Sequence, residues 1–268
     1  MGELNAIENL NHFRDSFLAV FDSLKKANPL FNQFVLNATE FKQAYVVGGF
    51  LRDIANNTQP RDLDILLGLP DEEIQSLINN LSLKYYKNRF NGYKIVFENF
   101  DLDCWSFDSN WAFKKRLLKS NSPSIENIAN GTFLNFDSLV LNVHTLKINV
   151  KNYNKCILER KLDVVRRNSR YVMYNPTKEA NILRFLYLSK KYDLSLSLQL
   201  KLYILNHINT FEILYGNPEQ RLLAFKAKYP KYASVFSDKD YNSMIDDIKE
   251  ELNHYSKEKG AILGRQIF

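Results

Sequence analysis

The segments Val46–Asp53, which reads VVGGFLRD, and Arg61–Ile65, which reads RDLDI, carry the clearest structural signal in this sequence. The first is a short apolar run that ends in two glycines, which predicts a strand leading through a close turn into a helix. The second belongs to the run Asp62–Leu67, which predicts a second strand. Pro60 lies between them and ends the helical segment. Together they predict a strand, a turn, a short helix and a strand in close succession.

Five residues of this unit have spacings that suit phosphate and metal chemistry. Gly48 and Gly49 let the backbone approach a ligand closely, and the helix start that follows offers free N–H groups that suit phosphate. Arg52, one helical turn further on, reaches the same anion. Asp62 and Asp64 are two residues apart on a strand, so their carboxylates share one face and suit hard cations.

A third acid is expected from the alternating run Phe100–Trp105. Asp101 and Asp103 both project from one face of that run, and Asp103 is favoured because it lies deeper in the strand. If this strand pairs beside Asp62–Leu67, three carboxylates converge as they do where two Mg²⁺ ions support in-line phosphoryl transfer. A Gly-Gly turn or an Asp-x-Asp pair alone is common without any function; their combination at this spacing favours a site.

The rest of the sequence predicts an α+β domain followed by a helical one. Apolar residues recur at helical spacing over residues 4–24 and 71–83, whereas residues 83–107 and 132–150 have β-like patterns. From residue 171 onward the patterns are helical. The predicted domains are residues 1–165 and 166–268.

The composition is that of a globular chain of one or two domains. Its 268 residues are 45% hydrophobic and 25% charged, which excludes a disordered or collagen-like chain. The short apolar runs predict no membrane helix, and the N-terminus has no secretory pattern. Cys104 and Cys156 show no pairing pattern, so we expect a cytoplasmic protein.

Positive charge is concentrated in the middle of the chain. Residues 111–170 carry a net charge of +8, more than the +6 of the whole chain. Residues 1–110, which precede this stretch, carry a net charge of −5. A basic stretch beside an acidic one indicates polyanion binding next to a metal site, and the alternative is a solvated basic face. Arg166, Arg167 and Arg170 are its candidate phosphate contacts, although an exposed helix face explains them equally well.

The two quoted segments resemble the head domain of the tRNA nucleotidyltransferase and bacterial poly(A) polymerase family, within the DNA polymerase β-like nucleotidyltransferase superfamily. The family signature is Gly-Gly-x-x-Arg-Asp, a short spacer and Asp-x-Asp. It is matched by Gly48, Gly49, Arg52, Asp53, Asp62 and Asp64. The resemblance implies a head domain with a mixed sheet over residues 1–165.

What the resemblance implies for the site can be given residue by residue. The glycines, Arg52 and Asp53 correspond to the nucleotide-binding positions, for ATP or CTP. The catalytic residues, which bind two Mg²⁺ ions in the family, correspond to Asp62, Asp64 and Asp103.

A looser similarity to the family's neck domain lies in the helical part. Asn175–Lys178 followed by Leu183–Phe185 is similar to the neck helix, which makes Lys178 and Arg184 candidate contacts to the acceptor or its phosphates. The sequence also departs from the family. The paired arginines and the acid expected near residues 130–142 are missing, the base-selecting neck motif is not evident, and the chain ends about where the tRNA-gripping domains would begin.

The activity that the resemblance implies is transfer of a nucleoside monophosphate from an NTP to an acceptor hydroxyl, with release of pyrophosphate. The basic middle stretch favours an RNA acceptor of tRNA type. A protein or small-molecule acceptor, as in toxin-type or antibiotic-modifying relatives, is the alternative. A non-catalytic nucleotide- or RNA-binding module is the third interpretation, against which the intact acids argue.

Overall fold

The computed structural model describes residues 4–39, 43–60, 62–88, 91–109, 113, 124–166, 178–225, 232 and 240–259. Contacts divide the chain into two compact units, residues 2–158 and residues 159–268. This division falls seven residues before the predicted one at 165. The reason is a strand pair inside the second unit, Lys161–Leu162 with Ser195–Leu196, which joins residues 161–162 to the helical part.

A seven-stranded mixed sheet forms the framework of the described part of the first unit. Its strands are β1 Ala44–Val47, β2 Asp62–Leu67, β3 Tyr85–Lys87, β4 Tyr93–Val96, β5 Asp101–Ser106, β6 Val140–Asn142 and β7 Ile148–Asn149. The spatial order is β3-β4-β5-β2-β1-β6-β7. Strands β2 and β5 are parallel, and the other paired neighbours are antiparallel.

The helices in the described part of this unit are α1 Leu10–Ala27, α2 Pro29–Thr39, α3 Gly49–Ala55, α4 Asp71–Asn80, α5 Ile125–Gly131 and α6 Lys151–Leu158. The first begins later than the predicted 4–24, because the Asn9 side chain accepts hydrogen bonds from the N–H groups of Asn11 and His12 and so starts the helix.

An aromatic cluster holds the turn that leads into β5. Phe31 of α2 packs edge-on against Phe97 and Phe100, with ring centroids 5.5 and 4.9 Å away. Phe97 and Phe100 also stack on each other at 5.0 Å. Because Phe100 directly precedes Asp101, this packing fixes the start of the strand that carries the third acid.

The β-like interpretation of residues 132–150 was wrong over much of its length. Helix α5 precedes it, started by the Ser124 hydroxyl, which accepts from the Asn127 N–H at 3.1 Å. A 3₁₀ turn, Asn135–Asp137, follows before β6. The apolar residues here fill the core from a turn as well as from a strand, and hydrophobicity does not distinguish the two.

The second unit is mainly helical. Among its described residues, the helices are α7 Lys178–Tyr192, α8 Leu198–Tyr215, α9 Pro218–Leu223 and α10 Asp240–Lys259, and the short strands are β8 Lys161–Leu162 and β9 Ser195–Leu196. The predicted α+β class, a mixed-sheet head followed by a helical domain, is confirmed. No helix within the described ranges is long and apolar enough to cross a membrane.

Candidate active site

Four acids lie on one face of the sheet where β2 and β5 pair. The parallel register places Asp62 beside Asp101 and Asp64 beside Asp103, and paired residues of neighbouring strands point to the same side. We call these four residues the acidic cluster. Strand β5 therefore pairs beside β2, as the predicted convergence of the third acid with Asp62 and Asp64 requires.

The opposite face of the same strands is apolar and holds them in register. Leu63, Ile65, Leu102 and Cys104 alternate with the acids and are at most 2% exposed. A one-residue slip of either strand would turn its two acids into the core, so the burial of these residues fixes where the carboxylates point. Burial, with a smaller effect of Asp103 and Asp71, raises the pKa of the Cys104 thiol far above its usual value.

Lys94 of β4 is a basic neighbour of this face within the described residues. It lies directly opposite Asp103 in the antiparallel β4–β5 pair, while its Nζ is 2.7 Å from Oδ2 of Asp101. Burial raises the pKa of Asp103; Lys94 lowers it, and the charges of Asp62 and Asp101 raise it again. The carboxylates are therefore close enough to repel one another.

The strand register and the carboxylate ligands of the acidic cluster decide whether it could bind a metal ion. Within the described ranges, no three histidine, cysteine, aspartate or glutamate side chains are placed closely enough to hold a metal ion. The backbone nevertheless places Asp62, Asp64 and Asp103 on strands that are about 4.8 Å apart, and carboxylate oxygens are the ligands that Mg²⁺ prefers. Mutual repulsion at Asp103 is what a bound cation relieves. The ligand types suit Mg²⁺, and a magnesium site at this place stays a prediction.

The glycine turn lies at the same end of the sheet. In the β1–β2 register Val46 pairs with Ile65, so the end of β1 runs beside the acids of β2. Gly48 has φ +66° and ψ −119°, a conformation that only glycine adopts readily. Its N–H donates to the Leu139 carbonyl at 2.9 Å. Helix α3 thus begins close to the acidic cluster, with its first-turn N–H groups at that end.

The Arg52 side chain forms ion pairs with two aspartates. Its Nη1 donates to Oδ1 of Asp137 at 2.8 Å, and its Nη2 donates to Oδ1 of Asp53 at 3.1 Å. The guanidinium carbon also lies 5.0 Å from the Phe136 ring centre. These contacts join α3 to the 3₁₀ turn before β6. The predicted phosphate contact of Arg52 stays a prediction; the two ion pairs use only two of the five N–H groups of its guanidinium.

Sequence reasoning missed Asp137 and Lys94. Asp137 lies in residues 130–142, where the sequence shows no match to the family's paired arginines and their acid. A half-buried arginine beside a glycine turn needs an acid, and that need was the available signal. Lys94 alternates with the buried Tyr93 and Ile95, a pattern that places it on the polar face of a strand in the β-like segment 83–107.

The basic candidates of the second unit are only partly described. Arg166 is half-buried, while Arg167 and Arg170 lie outside the described residues. Lys178, which is exposed, and Arg184, which is half-buried, lie on α7. Six helical positions separate them, which is about 120° around the axis, so they do not form one patch by themselves. Their contacts to an acceptor stay predictions.

Comparison with solved structures identifies the fold. A tRNA nucleotidyltransferase complexed with a primer tRNA and an incoming ATP analogue has a TM-score of 0.55 at 15% identity, over 80% of this chain and 62% of its own. A tRNA-processing enzyme with CTP has a TM-score of 0.53 at 16% identity, over 80% and 57%. A CCA-adding enzyme with ATP has a TM-score of 0.50 at 16% identity, over 80% and 48%.

The chain therefore has the fold of the tRNA nucleotidyltransferases and CCA-adding enzymes, as its motif resemblance implied. It spans about half to three fifths of the length of these proteins. No family model and no curated protein sequence matches it.

Proposed function

We propose that this protein is a metal-dependent nucleotidyltransferase that transfers a nucleoside monophosphate from an NTP, ATP or CTP first, to a hydroxyl of an RNA of tRNA type. The observation that carries the proposal is the register that places Asp62 and Asp64 beside Asp101 and Asp103, next to the Gly48 turn. The fold is one whose solved members have been crystallised with ATP, CTP and tRNA.

The residues of this chain have separate tasks in the proposed reaction. The backbone at Gly48 and Gly49 binds the triphosphate at the start of α3, and the ion pairs of Arg52 with Asp53 and Asp137 keep that turn in place. The acceptor oxygen attacks the α-phosphorus in line, the bond to the bridging oxygen breaks, and pyrophosphate leaves.

Asp62, Asp64 and Asp103 would hold Mg²⁺ on the sheet face. When bound there, Mg²⁺ lowers the pKa of the acceptor hydroxyl and neutralises charge on the phosphates. The three carboxylates come from two strands whose register is fixed by buried apolar residues, so their backbone positions are set in advance, while the side chains would have to move closer together to hold the ion. Backbone positions that are set in advance reduce the reorganisation that the reaction requires.

The test offers each of the four α-labelled NTPs to the protein with Mg²⁺, total RNA and cell extract. We expect labelled RNA, with ATP or CTP as donor, and no label with Asp64→Asn. Asp22→Asn is the matched control, since Asp22 pairs with Lys25 on the surface of α1. Label on protein or on a small molecule instead would support the alternative acceptor. Binding of an NTP without any transfer would support a non-catalytic nucleotide-binding module.

A further inference from the structure

Lys94 is a cation built into the face that carries the acids. We propose that Lys94 is a positioning residue that holds Asp101 out of the metal site and lowers its affinity for Mg²⁺, which leaves Asp103 as the third ligand beside Asp62 and Asp64. This inference rests on the proposed function and assigns each acid of the cluster a separate task.

The register decides which acids Lys94 can reach. It lies directly opposite Asp103, and Asp101 is its diagonal neighbour two positions away on β5. Diagonal neighbours are within reach of a long side chain. The Lys94 ammonium takes the diagonal partner, at 2.7 Å, while Asp103 forms no ion pair within the ranges that the structure describes. Lys94 thus distinguishes Asp101 from Asp103, of which the sequence analysis favours Asp103 as the third acid.

The charge balance of the cluster gives Lys94 its effect on metal affinity. Four carboxylates on two adjacent strands repel one another, and Lys94 offsets one of these charges. The same ammonium repels a divalent cation bound a few ångströms away. Removal of Lys94 should therefore lower the stability of the metal-free protein, release Asp101 and tighten Mg²⁺ binding.

Lys87 provides a control with a similar ion pair, and its Nζ also donates to the Tyr93 hydroxyl at 3.2 Å. Its Nζ also lies 2.7 Å from an aspartate, Asp71, and the exposed fractions of the two side chains are 39% and 36%. The Lys94 and Asp101 side chains are 43% and 35% exposed. Lys87 lies on β3, separated from β5 by β4, so its replacement removes a similar ion pair without changing the charge of the acidic cluster.

The experiment measures Mg²⁺ binding by calorimetry and the melting temperature with and without Mg²⁺. We expect Lys94→Met to bind Mg²⁺ about tenfold more tightly than the wild type, equivalent to about 1.4 kcal/mol, and to melt at a lower temperature in EDTA. Lys94→Arg and Lys87→Met should keep wild-type Mg²⁺ affinity. Equal affinities of Lys94→Met and Lys87→Met would overturn the inference.

A second set of variants keeps the inference testable if Lys94→Met does not fold. Asp103→Asn should abolish Mg²⁺ binding. Asp101→Asn should weaken it several-fold, because Lys94 then turns to Asp103, and the Lys94→Met change should restore it. Retained binding in Asp103→Asn with loss in Asp101→Asn would reverse the assignment and overturn the inference. Absence of any Mg²⁺ binding by the wild type would count against the proposed function itself.

Discussion

The main effect of replacing Arg52 should be a lower stability of the first unit rather than a direct loss of nucleotide binding. The guanidinium donates to Asp137 at 2.8 Å and to Asp53 at 3.1 Å, and the side chains of Arg52 and Asp137 are only 15% and 17% exposed. A charge-assisted hydrogen bond at a partly buried site contributes about 1.5–3 kcal/mol, and the contact with Phe136 adds about 0.5–1 kcal/mol. Arg52→Met should therefore lower the free energy of unfolding by about 3 kcal/mol.

The assay is a double-mutant cycle by urea unfolding. For Arg52→Met we expect a fall in melting temperature of roughly 6–12 °C for a unit of this size. The coupling energy of Arg52 with Asp137 should be about 2 kcal/mol, and that with the adjacent Asp53, which has the longer contact, below about 1 kcal/mol.

The cycle also separates the two interpretations of Arg52. A coupling with Asp137 below about 0.5 kcal/mol would refute the reasoning above. If Arg52→Met kept normal stability but lost the rise in melting temperature caused by an NTP, Arg52 would be a phosphate contact, as the motif predicts.

Other features of the chain give separate tests. Burial, helped by Lys178, lowers the pKa of His207 to about 4 from its ordinary 6.5. Because the folded-state pKa is lowered, the neutral histidine contributes its full stability above pH 6.5, and this stability is lost as the pH falls toward 4. The free energy of unfolding in urea should therefore be lower at pH 5 than at pH 7 by at most about 2 kcal/mol. His207→Gln should remove this difference. Gly48→Ala should cost about 1–3 kcal/mol of unfolding free energy because of its backbone conformation. Gly49→Ala, whose Cβ would meet only Arg52 Nη2 at 3.5 Å, should cost less than about 0.5 kcal/mol; equal costs would contradict the backbone argument. Joint replacement of the arginines at 166, 167 and 170 should flatten the log–log salt dependence of RNA binding by about two units, and an unchanged slope would remove them as phosphate contacts.

The sequence pattern predicted the glycine turn and the polar face of β2, because both depend on residues that are neighbours in the sequence. Two glycines after an apolar run gave the β1–α3 turn, because Gly48 needs a positive φ. The alternation of Asp62 and Asp64 with Leu63 and Ile65 gave the strand and its polar face. These properties depend on neighbours in sequence, which a single chain displays directly.

The rest depends on contacts between distant segments. The parallel pairing of β2 with β5 crosses a helix and a hairpin, so the register that places Asp64 beside Asp103 has no local signal. The choice between Asp101 and Asp103 stayed open because residues two apart share a face; Lys94, on a third strand, distinguishes them. Arg52 and Asp137 are 85 residues apart in the sequence, so their ion pair could not be predicted from local patterns either.

The central claim is that the acidic cluster catalyses nucleotidyl transfer, and the rate of pyrophosphate release from an NTP with Mg²⁺ and RNA tests it most directly. The wild type and Asp22→Asn should release pyrophosphate at the same rate. Asp64→Asn and Asp103→Asn should each be slower by at least about 100-fold while remaining folded. Release by Asp64→Asn at a rate close to that of the wild type would contradict the account.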